Sequence, residues 1–128
     1  MFQNLPETKA TPRVTFIDGV LTLEGNSIPE DSMPFYNPII NSLREYALST
    51  QEKIVIEVKI GYFNSSSMRS MMGILDVADE LFKNGHRIKV NWYYINKDDV
   101  AFDAGTIFIS ILSIPITLIA KETSDSAQ

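Results

Sequence analysis

Three consecutive serines, Ser65-Ser66-Ser67, follow Tyr62-Phe63-Asn64 and form the densest set of hydroxyl nucleophiles in the chain. Hydroxyls at such a place do one of two things. One serine can cap a helix by accepting a hydrogen bond from a first-turn amide, or a serine can take a phosphoryl group from a kinase. A cap needs one hydroxyl, and here three stand behind an aromatic pair. A phosphate would add about −1.5 to −2 charges where helix amides and the helix dipole favour an anion. The stretch can therefore carry a phosphate without breaking the fold, and would then present a changed surface.

Other reactive groups offer less. His86 is the only histidine and sits in Asn84-Gly85-His86, where it reads as a solvated turn residue. No cysteine is present, so thiol nucleophiles, disulfides and zinc–thiolate sites are excluded. No carboxylates fall at a metal-loop spacing, and no cofactor is implied. Asp98-Asp99 suits a cation or acid–base work, but more simply the capping of a helix that starts there. Asp76, Asp79 and Glu80 read as solvating groups on the outside of a helix. Met68, Met71 and Met72 suit an adaptable binding surface or, more simply, a core. Gly25-Asn26-Ser27-Ile28-Pro29-Glu30 lacks the second glycine and the lysine–serine pair of a phosphate cradle, and no Gly-x-Ser-x-Gly elbow occurs. A serine hydrolase using Ser65 would need a base that the lone histidine is poorly placed to supply. A non-enzymatic protein is expected.

The formal charge of −5 is scattered along a chain that is 45% hydrophobic, which favours solubility and gives no electrostatic reason to expect nucleic acid. The first residues show neither the basic nor the apolar part of a secretory leader. Thr106 to Ala120 is the longest apolar run, broken by Ser110, Ser113 and Pro115. It falls short of the roughly 20 apolar residues needed to cross a bilayer, so no membrane insertion is expected. Freedom from cysteine suits the reducing cytoplasm.

The elements that would position these residues alternate. Residues 1–12 read as an irregular lead-in, 13–120 as one domain and 121–128 as a polar tail. Two apolar runs, Arg13 to Ile17 and Val20 to Glu24, flank Asp18-Gly19, a hairpin signal because both turn positions tolerate positive φ. Gly25 to Ser32 reads as a polar loop. Phe35, Ile39, Leu43 and Tyr46, with Ile40 and Ala47 beside them, predict a helix over about 34–48 with Pro38 near its start. Lys53 to Ile60 alternates as a strand. A second helix follows Asn64-Ser65-Ser66 with the stripe Met68, Met71, Leu75, Ala78 and Phe82, and Asn84-Gly85 stops it. Arg87 to Tyr94, a helix from near Asp98-Asp99, and Ile114 to Ile119 complete the order ββαβαβαβ. That order predicts an α/β domain with a mixed sheet, right-handed crossovers and helices mainly on one face.

With these residues in place, the sequence resembles the SiaC family of bacterial regulatory phosphoproteins, whose fold is similar to STAS domains and anti-sigma factor antagonists. Thr11-Pro12 precedes the first strand. Gly25 to Ser32 resembles the family's Gly-x-Ser-Tyr-Pro-Glu-Asn, with Ile28 for the tyrosine. Tyr62-Phe63-Asn64-Ser65-Ser66-Ser67 resembles its phospho-acceptor motif Tyr-Phe-Asn-Thr-Ser-Ser. Trp92-Tyr93-Tyr94, Asp98-Asp99 and Gly105 extend the match over about residues 11–120.

The resemblance implies Ser65 as phospho-acceptor, with Ser66 the next candidate. It implies a partner-binding surface of Asn26, Ser27, Pro29, Glu30, Tyr62, Phe63, Asn64, Ser66, Ser67 and Arg69. It further implies a HATPase-type Ser/Thr kinase, a PP2C-like phosphatase and a downstream effector bound by the unmodified form. In the characterised branch that effector is a diguanylate cyclase, hence c-di-GMP signalling and biofilm formation. The competing reading is a small-ligand or nucleotide-binding STAS-like module.

Overall fold

Asp18 and Gly19 both take positive φ, 50° and 81°, and turn β1 (Arg13–Ile17) tightly into β2 (Val20–Ser27) as an antiparallel hairpin. A side chain at Gly19 would meet the Lys53 carbonyl at 2.8 Å, so the turn requires glycine twice over. The structure, a computed structural model, describes residues 4–121; the predicted tail beyond Lys121 lies outside them. After the hairpin come α1 (Met33–Ser49), β3 (Ile54–Phe63), α2 (Ser65–Lys83), β4 (Ile88–Tyr94), α3 (Val100–Ile111) and β5 (Ile116–Ala120).

The five strands lie in chain order, β1-β2-β3-β4-β5, and every pair after the hairpin is parallel. Parallel neighbours need crossovers, which α1, α2 and α3 supply. The predicted α/β domain with one mixed sheet is what the chain forms. Alternation settles which face the helices cover: Ile54, Ile56, Val58 and Ile60 of β3 are buried with Ile88, Val90 and Trp92 of β4. On the opposite face Glu57 accepts hydrogen bonds from Asn91 Nδ2 (2.5 Å) and Tyr93 Oη (2.8 Å).

Two strands run further than the sequence predicts. β2 continues through Gly25, Asn26 and Ser27, and β3 through Gly61, Tyr62 and Phe63, because these segments pair with each other. Asn26 faces Tyr62 and Ser27 faces Phe63, after a register slip beside Gly25, whose φ of 127° suits glycine alone. Only Asn64 then separates β3 from α2. The lead-in is also tied down. Leu5 exchanges two backbone hydrogen bonds with Val14 along the outer edge of β1, and the Ala10 carbonyl accepts from Ile28 N at 2.8 Å.

The helix faces differ in detail from the predicted stripes. In α1 the buried positions are Tyr36, Ile39, Leu43 and Ala47, so Tyr36 and not Phe35 enters the core, and Pro38 lies inside the helix on an exposed face. In α2 the buried set includes Ile74, Val77 and Asp79. Asp79 is thus not a solvating group. Its Oδ1 accepts from Ser113 N (2.7 Å) and Ile114 N (2.8 Å), and Lys83 Nζ lies 3.2 Å from its other oxygen. The carboxylate holds the turn that leads into β5.

Trp92 is fully buried. Its ring stacks on Phe63 at 5.9 Å and meets Phe108 edge-on at 5.4 Å, while Nε1 donates to the Ala101 carbonyl at 2.6 Å. These contacts fix the end of β3 against α3, and with it the junction that leads into α2.

Candidate functional site

The three serines at the start of α2 have three different environments. Asn64, not a serine, is the N-cap: its Oδ1 accepts from Ser67 N at 2.8 Å in extended backbone geometry. This corrects the expectation that one serine would serve. Asn64 Nδ2 also donates to the Pro29 carbonyl at 2.7 Å, and Asn64 N to the Ser27 carbonyl at 3.0 Å.

Ser67 is fully buried, and its hydroxyl accepts from Ser27 Oγ at 2.6 Å. Ser27 shares a further hydrogen bond with Tyr36 Oη at 2.7 Å. Burial pushes the Tyr36 phenol up to about 12, against a smaller opposing effect of the Ser27 bond, so it stays protonated across the physiological range. Ser66 is half-buried. Its Oγ accepts from Ser32 N at 3.0 Å and lies 2.8 Å from Ser32 Oγ, which also donates to the Ser66 carbonyl at 2.7 Å. Ser32 Oγ lies 2.5 Å from Ser70 Oγ as well. Two chains of hydroxyls, one through Ser27 and one through Ser32, therefore stitch the segment 27–32 to the first turns of α2. Buried hydroxyls are costly unless paired, and every one of these is.

Ser65 stands apart. It is the first residue of α2, it is exposed, and its hydroxyl bonds to no other described residue. Of the residues expected to form a surface with it, Tyr62, Asn26, Glu30 and Arg69 are exposed, and Pro29 and Asn64 half-buried. Three of the residues expected on the partner surface are not at the surface of the chain. Ser27, Phe63 and Ser67 are buried, the serines because they pair inside and Phe63 because it stacks on Trp92. Sequence reasoning missed Ser32, Ser70 and Tyr36, whose contacts with this site span long stretches of chain.

Other candidates are placed elsewhere. His86 lies beyond the far end of α2 with Nε2 bonded to the Ala47 carbonyl at 2.7 Å, remote from Ser65. Asp99 Oδ2 accepts from Asn96 N at 3.0 Å and shapes the turn before α3, while Asp98 is exposed. Met71 is core, with Met68 and Met72 partly buried against it. Among the described residues no group of three or more histidines and carboxylates could hold a metal, and no helix is long and apolar enough to cross a membrane. A groove of about 590 Å³ at the opposite end of the sheet is lined by Phe16, Asp18, Gly19, Ser42, Glu45, Tyr46 and Ser49. Its two carboxylates repel the phosphates of a nucleotide.

Residues 5–121 match the model of the SiaC family regulatory phosphoproteins. The chain belongs to the SiaC family. It resembles the crystal structure of apo-SiaC from Pseudomonas aeruginosa with a TM-score of 0.82 at 27% identity, covering 93% of this chain and all of that one. The same fold recurs, at a TM-score of 0.85 and 24% identity over 94% of this chain and all of the matched one, in a crystal structure of the P. aeruginosa diguanylate cyclase SiaD in complex with its activator SiaC. An uncharacterized protein of P. aeruginosa strain UCBPP-PA14 is 25% identical over 121 residues, or 93% of this chain and 96% of the relative. The SiaC membership accords with the motifs from Gly25 to Ser32 and from Tyr62 to Ser67. The broader STAS-like label rests on the resemblance alone.

Proposed function

We propose that this SiaC-family chain is a non-enzymatic switch, reversibly phosphorylated on Ser65, whose unmodified form binds and controls an effector protein. One observation carries the choice of residue. Of the three serines only Ser65 offers an exposed hydroxyl without a partner among the described residues, whereas Ser66 and Ser67 are engaged with Ser32 and Ser27. A kinase reaches the first without disturbing the fold and the other two only by breaking buried pairs.

The P. aeruginosa SiaC is the activator of a diguanylate cyclase, and a diguanylate cyclase is the effector class proposed here, with c-di-GMP as the output. A HATPase-type Ser/Thr kinase and a PP2C-like phosphatase set the phosphorylation state in the cytoplasm. The effector docks on Asn26, Pro29, Glu30, Tyr62, Asn64, Ser66 and Arg69, around the acceptor. A dianion introduced at their centre must be desolvated when the partner covers it, which weakens the complex.

Incubation with the candidate kinase and ATP, followed by intact-mass measurement and phosphopeptide mapping, tests the proposal. A single added phosphate on Ser65 and weaker binding of the effector by the modified form are expected. Modification confined to Ser66 or Ser67, or equal affinity of both forms, sinks it. Retention of a small ligand through native purification favours the binding-module reading instead.

A further inference from the structure

Arg69 stands one turn beyond Ser65 on the same side of α2 and is exposed. Residues four apart on a helix are neighbours, with Cβ atoms about 5–6 Å apart. Helical side chains also lean toward the N-terminus, so a long side chain at 69 covers the turn that holds residue 65. The other positions within reach along the helix are Ser66, Met72 and Gly73, and none is acidic. Among the described residues Arg69 takes part in no ion pair; the acids on the segments packed at this end of the sheet are Glu30 and Asp31, between β2 and α1, and Glu7, whose carboxyl lies against Gly25. The first turn of α1 carries no acid, and Tyr62 is the nearby titratable group from β3. Ser66, the alternative neighbour, turns its hydroxyl inward to Ser32.

We infer that Arg69 is the phosphate's partner within the chain: modification of Ser65 draws the guanidinium onto the phosphate and removes a free cation from the docking surface. This rests on Ser65 as the acceptor. It adds a second consequence to the modification. The unmodified surface offers a cation that fits a carboxylate on the effector; the modified one carries a phosphate and an arginine that is already satisfied. Arginine suits the role because its planar fork meets two phosphate oxygens at once.

Phosphoserine installed at position 65 by genetic-code expansion, which needs no kinase, makes the test independent of the pathway. The second ionisation of the phosphate is followed by phosphorus NMR between about pH 4 and 8, around its usual value near 6, in the otherwise unchanged chain and in the Arg69→Lys and Arg69→Gln variants. A neighbouring cation favours the dianion and lowers the midpoint. For an exposed pair the midpoint with Arg69 should lie about 0.2–0.7 pH unit below that of Arg69→Gln. Arg69→Lys should recover at least half of the difference, and about 1 M salt, where the screening length is about 3 Å, should shrink it. Helix amides, Glu30 and Asp31 act on all three alike. Equal midpoints in the parent and Arg69→Gln, or a gap indifferent to salt, overturns the inference. If instead the kinase leaves Ser65 untouched, the acceptor assignment fails while this titration still judges Arg69.

Discussion

Asn64 donates from Nδ2 to the Pro29 carbonyl across 2.7 Å, so the residue that caps α2 also holds the loop beside it. Capping and loop docking thus share one side chain, and the surface around Ser65 has a fixed shape before any modification. Asn64→Ala should lose the cap and the loop contact together, at about 1–2 kcal/mol for the cap alone, read from urea unfolding. Asn64→Asp keeps an acceptor for Ser67 N but has no donor for Pro29. It should recover most of the stability while the Ser32 amide, which donates to Ser66 Oγ, exchanges with solvent faster than in the parent.

Ser65→Ala should fold with stability within about 0.5 kcal/mol of the parent, because the lost hydroxyl has no partner among the described residues. The variant should accept no phosphate at this position and bind the effector irrespective of kinase. Ser65→Glu should weaken effector binding, and less than phosphorylation does, since it carries less charge. Calorimetric titration with the effector measures both.

Asp79 gives the fold a predictable acid sensitivity. Burial alone would push its carboxyl up, but hydrogen bonds from Ile114 N, Lys83 and Ser113 N outweigh that and hold it below the ordinary carboxylate range. A carboxylate depressed in the folded state stabilises above its unfolded pKa, near about 4, and that stability is lost as pH falls through the lower folded value. The melting temperature should therefore drop on acidification below about pH 4, and Asp79→Asn should flatten that drop. Asp79→Ala, which leaves two amides without an acceptor, should cost about 1–3 kcal/mol at neutral pH. An acid limb identical in the parent and Asp79→Asn would show that this carboxylate is not its source.

Gly105 lies where α3 crosses the core. A methyl group there would meet Leu118 Cδ2 at 2.6 Å and Trp92 Cδ1 at 2.7 Å. Trp92 is held by Phe63, Phe108 and the Ala101 carbonyl and has little room to yield. Gly105→Ala should cost about 1–3 kcal/mol, measured by chemical denaturation. Because Phe63 stacks on the same ring, the strain should also appear as shifted amide resonances at the start of α2.

Periodicity and turn chemistry were enough to read the element order, the Asp18-Gly19 hairpin and the stretch from Tyr62 to Ser67 as the place of interest. Those signals are local: alternation tells which face of a strand goes inward, and a run of serines after an asparagine announces a helix start whatever lies nearby. The tertiary structure alone decided between neighbours with equal local claims. Phe35 and Tyr36 both fit the α1 stripe, and Tyr36 entered the core, where Ser27 supplies a partner for its hydroxyl. Asp79 looked like a solvated acid until the amides of Ser113 and Ile114 arrived from another part of the chain. Three serines were equivalent in sequence, and contacts from residues 27 and 32, distant along the chain, engaged two and left Ser65 exposed. A hydroxyl's availability depends on what packs against it, and that is set by crossovers and register rather than by adjacent residues.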